Sequence, residues 1–200
     1  DASLKSKSVL RTIVSTDDEN IAEISRNCGA EVPFIRPTEL SGDDAPHIPV
    51  MVHAIEWLKK NWDVTAEYFI LLQPTSPLRN SEDIDSAVGI AVNNSAESVV
   101  AVNETHDHPY LTKRLGHEGK LIDFMDSGHS SGSTLARRQT FEPAYVVNGS
   151  IFVNRRNMLL KQRAIISEIS LPYFMPRRRS IQIDDSWDLQ MAELILRDTL

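Results

Sequence analysis

Hydrophobic positions fall into short runs whose period alternates between strand-like and helix-like along the first half of the chain. Val9 to Ser15 is rich in β-branched residues and reads as a first strand. Thr16-Asp17-Asp18-Glu19 has the spacing of a capping box. Ile21, Ala22, Ile24, Ser25 and Cys28 then form a helical stripe that Gly29 can end. Val32 to Ile35 reads as a short second strand, and Arg36 to Pro46 as a loop. A helix is expected from about His47 to Asn61, with Ile48, Met51, Val52, Ile55 and Leu58 on one side. Tyr68 to Leu72 is an apolar run suited to a strand buried on both faces. The helix Ser81 to Asn93 turns Ile84, Ala87, Val88 and Ala91 inward, and Ser98 to Val102 is another buried strand. This order of strands and helices predicts an α/β fold, with a mostly parallel sheet flanked by helices.

The pattern breaks at Asn103. From there to Glu142 the chain is polar, without strong periodicity and too long for an ordinary connection. It reads as an excursion that leaves the main sheet and contains short strands, Lys120 to Phe124 among them; such excursions often build a partner interface. Strand character returns at Tyr145 to Asn154, where Asn148-Gly149 is either a hairpin turn or a glycine bend at a site. Arg155 to Gln162 reads as a short helix, and Ile165 to Met175 and Ser180 to Ile183 as extended. Asp184-Asp185-Ser186 opens a last helix whose core face runs from Trp187 through Leu196.

Two hundred residues suit one domain, 1–200, with the excursion at about 104–143 inside it. A net charge of -7 argues against a general nucleic-acid or anionic-membrane surface. No apolar run approaches the roughly 20 residues of a membrane helix, and no signal peptide is recognisable. Cys28 is the single cysteine, which excludes an internal disulfide and fits a reducing cytoplasm. We expect it to be a small buried helical residue.

Candidate chemistry concentrates after the Tyr68 strand. Gln73, Thr75, Ser76 and Arg79 offer an amide, two hydroxyls and a guanidinium around Pro74 and Pro77. A rigid polar turn between strand and helix is how an open α/β sheet presents a ligand site; a plain strand exit with Arg79 solvated is the alternative. Asp184, Asp185 and Asp188 are either helix-capping acids or a magnesium site completed by substrate phosphates. Arg137-Arg138 and Arg177-Arg178-Arg179 are either solvated turns or anion grips. His106, His108, His117 and His129 read as a solvated loop. Neither G-x-G-x-x-G, a P-loop nor paired Cys/His spacing occurs. Gly128-His129-Ser130-Ser131-Gly132 fits G-x-S-x-G, but lacks the strand and helix a nucleophile elbow needs.

Four ordered blocks resemble the acylneuraminate cytidylyltransferases, the CMP-sialic acid synthetase family. They are Ile13-Val14-Ser15-Thr16-Asp17-Asp18, Leu71 through Arg79 (Leu-Leu-Gln-Pro-Thr-Ser-Pro-Leu-Arg), Asn148-Gly149-Ser150-Ile151-Phe152, and Ser180-Ile181-Gln182-Ile183-Asp184. Arg36-Pro37-Thr38-Glu39-Leu40 and Asp107-His108-Pro109 also look like the family. The resemblance implies a Rossmann-like fold of the nucleotide-diphospho-sugar transferase type, with the excursion as a dimerisation subdomain of a cytoplasmic homodimer. It implies transfer of CMP from CTP to a nine-carbon sugar acid, with Mg2+ as cofactor and pyrophosphate released. Gln73, Thr75, Ser76, Arg138 and Asn148 would bind substrate, with Lys113 a further candidate. Asp184 and Arg79 would carry catalysis. The family's metal motif is Asp-Ile-Asp, and here Gln182 stands in place of its first acid, so Asp184 and Gln182 are the expected metal ligands. Family members also begin with a strand and a basic glycine-containing loop resembling Ala-Arg-x-Gly-Ser-Lys-Gly. That segment has no counterpart here, and we expect it to precede Asp1 in a longer protein; without it, a non-catalytic nucleotide- or sugar-binding homologue is the alternative. A cytidylyltransferase for an eight-carbon sugar acid fits less well, because that family's equivalent turn differs from Gln73-Pro74-Thr75-Ser76.

Overall fold

Tyr68–Leu71 forms strand β1 and Ser98–Glu104 forms β2, in a computed structural model that describes residues 1–42, 44–125 and 141–198. They are not direct neighbours. Strand β5, Tyr145–Arg155, lies between them and runs antiparallel to both. Strand β6, Leu171–Phe174, adds to the far edge of β2 in parallel, giving the order β1-β5-β2-β6. Three strands of this sheet therefore share one direction, as the βα alternation predicts, and β5 opposes them. The other two strands, Lys113–Leu115 (β3) and Leu121–Asp123 (β4), pair antiparallel as a separate hairpin inside the polar excursion.

The helices at His47–Trp62 and Ser81–Asn93 bury their expected apolar faces, whereas Ile21 and Ile24 of the first expected stripe and Trp187, Leu189, Leu194 and Leu196 of the last are exposed. Helix α4, Ser81–Asn93, is capped by Asn80, whose side chain accepts from Asp83 N–H while Asp83 accepts from Asn80 N–H. Its buried Ile84, Ala87 and Ala91 pack with Val99, Ala101, Ile151, Val153 and Met175 to form the main core. Small alanines at two of those helical positions let the helix sit close to the sheet. Helix α3, His47–Trp62, buries Val52, Ile55 and Leu58 and packs against a π-helical turn at Met158–Gln162. The short helix expected over Arg155 to Gln162 is present, with Met158–Gln162 in π geometry. Helix α1, Ala2–Lys5, rests on α4, where Asp85 accepts from the Ser6 hydroxyl and from the Lys7 and Ser8 amides.

Other sequence expectations differ from the fold. Val9 to Ser15 and Val32 to Ile35 are not strands; the first run makes one parallel bridge, from Ile13 to Glu31 just before the second. Extending that ladder would need Pro33, which has no N–H to donate. Helix α2, Glu19–Asn27, is capped by Asp18, which accepts from the amides of Asn20 and Ile21; Thr16 instead accepts from Asp18 N–H. Cys28 is exposed at the end of α2, not buried, because the apolar stripe ends one turn earlier at Ala22 and Ser25. Among the described residues, no helix is long and apolar enough to cross a membrane.

Candidate active site

Three chain segments meet at the end of β1. The first is the turn Gln73 to Ser76, closed by Ser76 N–H on Gln73 C=O at 3.3 Å. The second is a bulge in β5. While β2 advances from Val100 to Val102, β5 advances from Phe152 to Val147, so Asn148 to Ile151 swell out of the ladder. Gly149 holds φ +70 there, so Asn148-Gly149 is the glycine bend and not a hairpin turn. The third is the segment Ser180 to Asp184, which leads into helix α5, Ser186–Arg197.

Hydrogen bonds lock the three together. Ile183 N–H donates to Thr75 C=O at 2.8 Å, fixing the third segment on the turn. Asn148 is a strut between all three: its amide nitrogen donates to Ser180 Oγ at 3.0 Å, its amide oxygen accepts from Ser150 N–H at 3.1 Å, and its carbonyl accepts from Ser76 Oγ at 3.4 Å. Ser76 has no exposed surface and Asn148 is buried, so both shape the site from behind. Arg79 also faces the backbone. Its Nη1 donates to the carbonyls of Gln73 and Ser76, each at 2.7 Å, and of Ser150 at 3.2 Å. Burial pushes this guanidinium down to about 10. The solvated reading of Arg79 is therefore wrong: one side chain satisfies three carbonyls of the turn and the bulge.

The groups left facing outward are fewer. Gln73 is half-buried, and its amide nitrogen meets His47 Nε2 at 2.8 Å. Gln182 donates its amide nitrogen to Asp184 Oδ1 at 3.0 Å. It thereby turns nitrogen, not oxygen, toward the carboxylate, and the two expected metal ligands do not present oxygens to one point. Asp185 and Asp188 are occupied as the cap of α5, as the helix-capping reading holds. Asp188 also accepts from Asp184 N–H at 3.0 Å. Asp184 is exposed, with Oδ2 facing no partner among the described residues. Among the described residues, no cluster of three or more His, Cys, Asp and Glu side chains could hold a metal alone.

Behind the third segment lies a buried acid. Asp83 has no exposed surface; Arg179 donates to it through Nε at 3.0 Å and Nη2 at 2.8 Å, and Tyr173 OH at 2.8 Å. Arg179 is the residue just before Ser180, so this clamp ties the start of α4 to the segment carrying Gln182 and Asp184. In sequence, Asp83 is indistinguishable from any acid in a first helical turn; only the arginine triplet near Ser180 hints at a partner. His47 gives no signal beyond its place at a helix start.

Lys113 sits on the exposed β3 and its ammonium pairs with Asp123 across the hairpin. Arg138, Arg137, His129 and the Gly128 to Gly132 stretch lie outside the described residues. His108 is not solvated: it is buried, stacks on Phe141, accepts from Tyr110 N–H at Nδ1 and bonds Glu142 C=O through Nε2. It pins the base of the excursion. Arg178 pairs with Asp198, as expected of a surface turn.

A family model described as Cytidylyltransferase matches residues 1–189. Post-translational flagellin modification protein B of Campylobacter coli is 26% identical over 193 residues, 96% of this chain and 80% of that protein. N-acylneuraminate cytidylyltransferase of Streptococcus agalactiae serotype V is 32% identical over 86% of this chain, which spans 39% of that protein's length. CMP-N,N'-diacetyllegionaminic acid synthase of Legionella pneumophila subsp. pneumophila is 29% identical over 98% of this chain and 82% of that protein. The solved structure of CMP:2-keto-3-deoxy-manno-octonic acid synthetase complexed with CTP shares the fold, with a TM-score of 0.66 at 14% identity over 100% of this chain and 86% of that one. Since the family match runs unbroken through the turn, the bulge and the Asp184 segment that the hydrogen bonds join, the chain belongs to the cytidylyltransferase family.

Proposed function

We propose that the protein transfers CMP from CTP to a nonulosonic acid, a nine-carbon 2-keto sugar acid of the sialic type, and releases pyrophosphate. The observation that carries this reading is the bond from Ile183 N–H to Thr75 C=O. It brings the polar turn and the only outward-facing carboxylate of the third segment into one site. The anomeric hydroxyl oxygen of the sugar attacks the α-phosphorus of CTP, the bond to the β-phosphate oxygen breaks, and the hydroxyl proton leaves to solvent. Relatives named for acylneuraminate and legionaminic acid synthesis point to the sugar class.

The residues divide the work. Gln73 faces the substrate with its amide oxygen, and Thr75 lines the same turn. Arg79, Ser76 and Asn148 are positioning residues that fix the turn against the bulge. Asp184 fits magnesium of the kind that takes one or two carboxylates and completes its shell with substrate phosphates and water. When bound, that ion would supply charge neutralisation at the triphosphate. Arg138 and Lys113 remain candidates for the sugar carboxylate. The protein works as a homodimer in the cytoplasm, with the excursion at the dimer interface.

The test uses the intact protein with CTP, magnesium and, in turn, N-acetylneuraminic, legionaminic and pseudaminic acids. Pyrophosphate release with at least one is expected; none with any of them overturns the reading. The neutral amide at Gln182 favours one second reading, a sugar- or nucleotide-binding homologue without turnover. Calorimetric binding by the intact protein without pyrophosphate release would select it.

A further inference from the structure

Gln182 is an expected metal ligand, and its surroundings assign it a different task. A Cβ built on Gly149 would lie 2.5 Å from Gln73 Oε1 and 2.6 Å from Gln182 Oε1. The two amide oxygens therefore flank the bare face of one glycine, no farther apart than those two distances together. A single hydroxyl or N–H group placed there can share its hydrogen between the two oxygens as a three-centre bond. Neither oxygen accepts a hydrogen bond from any described residue.

The orientation of Gln182 is imposed by its other end. Gln73 spends its nitrogen on His47 Nε2 and Gln182 spends its nitrogen on Asp184 Oδ1. Turning Gln182 over would set its oxygen against a carboxylate oxygen, two acceptors face to face. The pair thus presents acceptors only. Two converging acceptors repel carboxylate and phosphate oxygens and attract a donor, and because both are neutral they draw a cation less strongly than a carboxylate would. Any side chain at position 149 would fill the gap.

We propose that Gln182 is a specificity residue for the sugar and not a metal ligand: with Gln73 it forms a paired acceptor over Gly149 that binds one hydroxyl or amide N–H of the sugar acid. This rests on the cytidylyltransferase reading of the site. It leaves Asp184 as the carboxylate of its segment for magnesium and directs the sugar carboxylate elsewhere.

Two measurements on the intact protein test it. In steady-state assays, Gln182→Leu should raise the KM for the sugar acid roughly tenfold, the loss of about one hydrogen bond. The magnesium concentration for half-maximal rate should hold within about twofold. The penalties of Gln182→Leu and Gln73→Leu should combine to less than their product, since both remove one shared donor contact. A shifted magnesium requirement with unchanged sugar KM overturns the proposal and makes Gln182 a metal ligand. In calorimetry with CTP present, sugar binding is read without turnover. If wild type binds sugar acid more tightly than Gln182→Leu but releases no pyrophosphate, the paired acceptor stands and the transferase reading falls. If turnover is intact and the variant binds sugar as well as wild type, the transferase reading stands and the paired acceptor falls. If wild type binds no nonulosonic acid at all, both fall.

Discussion

A carboxylate with no exposed surface persists at Asp83 because several donors surround it. Burial pushes its carboxyl up, but hydrogen bonds from Arg179, Asn80 and Tyr173 and the charge of Arg179 prevail and hold it below the usual range. A carboxyl depressed in the folded state contributes stability above its unfolded value near about 4, and loses it as pH falls through the folded value. Asp85 is depressed likewise, to about 2, chiefly by the Ser6 hydroxyl. Thermal melts should therefore show Asp83→Asn and Asp85→Asn each losing less stability than wild type between about pH 4 and pH 2. Slopes parallel to wild type would deny both clamps. At neutral pH, Asp83→Ala should cost about 3 kcal/mol, the low end for breaking a buried pair because Arg179 is partly exposed. Arg79→Met leaves three carbonyls without their shared donor and should also cost about 3 kcal/mol. An unchanged urea midpoint would mean that the turn holds itself.

The bulge of β5 shows at the scale of an element how far periodicity carries. The runs at Tyr68 and Ser98 and the stripe of α4 announce their elements, because local spacing alone places those side chains in the core. Asn148-Gly149 leaves two outcomes open, since the pair suits a reversal as well as a bend. The ladder of β5 with β1 on one side and β2 on the other decides for the bend. The first two expected strands fail for the opposite reason. Their composition is right, but pairing stops at one bridge beside Pro33. The site itself was partly legible: the turn stands out by its polar residues and prolines. Its supports do not, because Asp83 meets Arg179 across 96 positions and Gln73 meets His47 across 26. Gly149→Ala tests the element. Its φ of +70 should cost about 1–2 kcal/mol for any residue with a Cβ. The methyl would also displace Gln73 and Gln182. Circular dichroism should show a retained fold, with sugar binding lost; retained binding would mean that the bulge relaxes.

For the molecule as a whole, the polar excursion carries apolar residues that its own hairpin leaves bare. Leu115 is 74% exposed, Leu121 71% and Phe124 63%. Such a surface suits burial against a second copy. Light scattering on intact protein should report a dimer, and Leu121→Glu a shift toward monomer; a monomeric wild type would remove the excursion from any such role. The sheet order also bears on how the protein is made. Among the described residues, β5 is the only strand that touches both β1 and β2, and it arrives more than 40 residues after β2 begins. A ribosome that has released the chain only as far as Ala144 has made β1 and β2 and not the strand that joins them. During that interval β1 and β2 offer open edges to other chains. Stalled nascent chains ending before Tyr145 should be protease-sensitive throughout, and protection should appear in one step once Arg155 has cleared the exit tunnel.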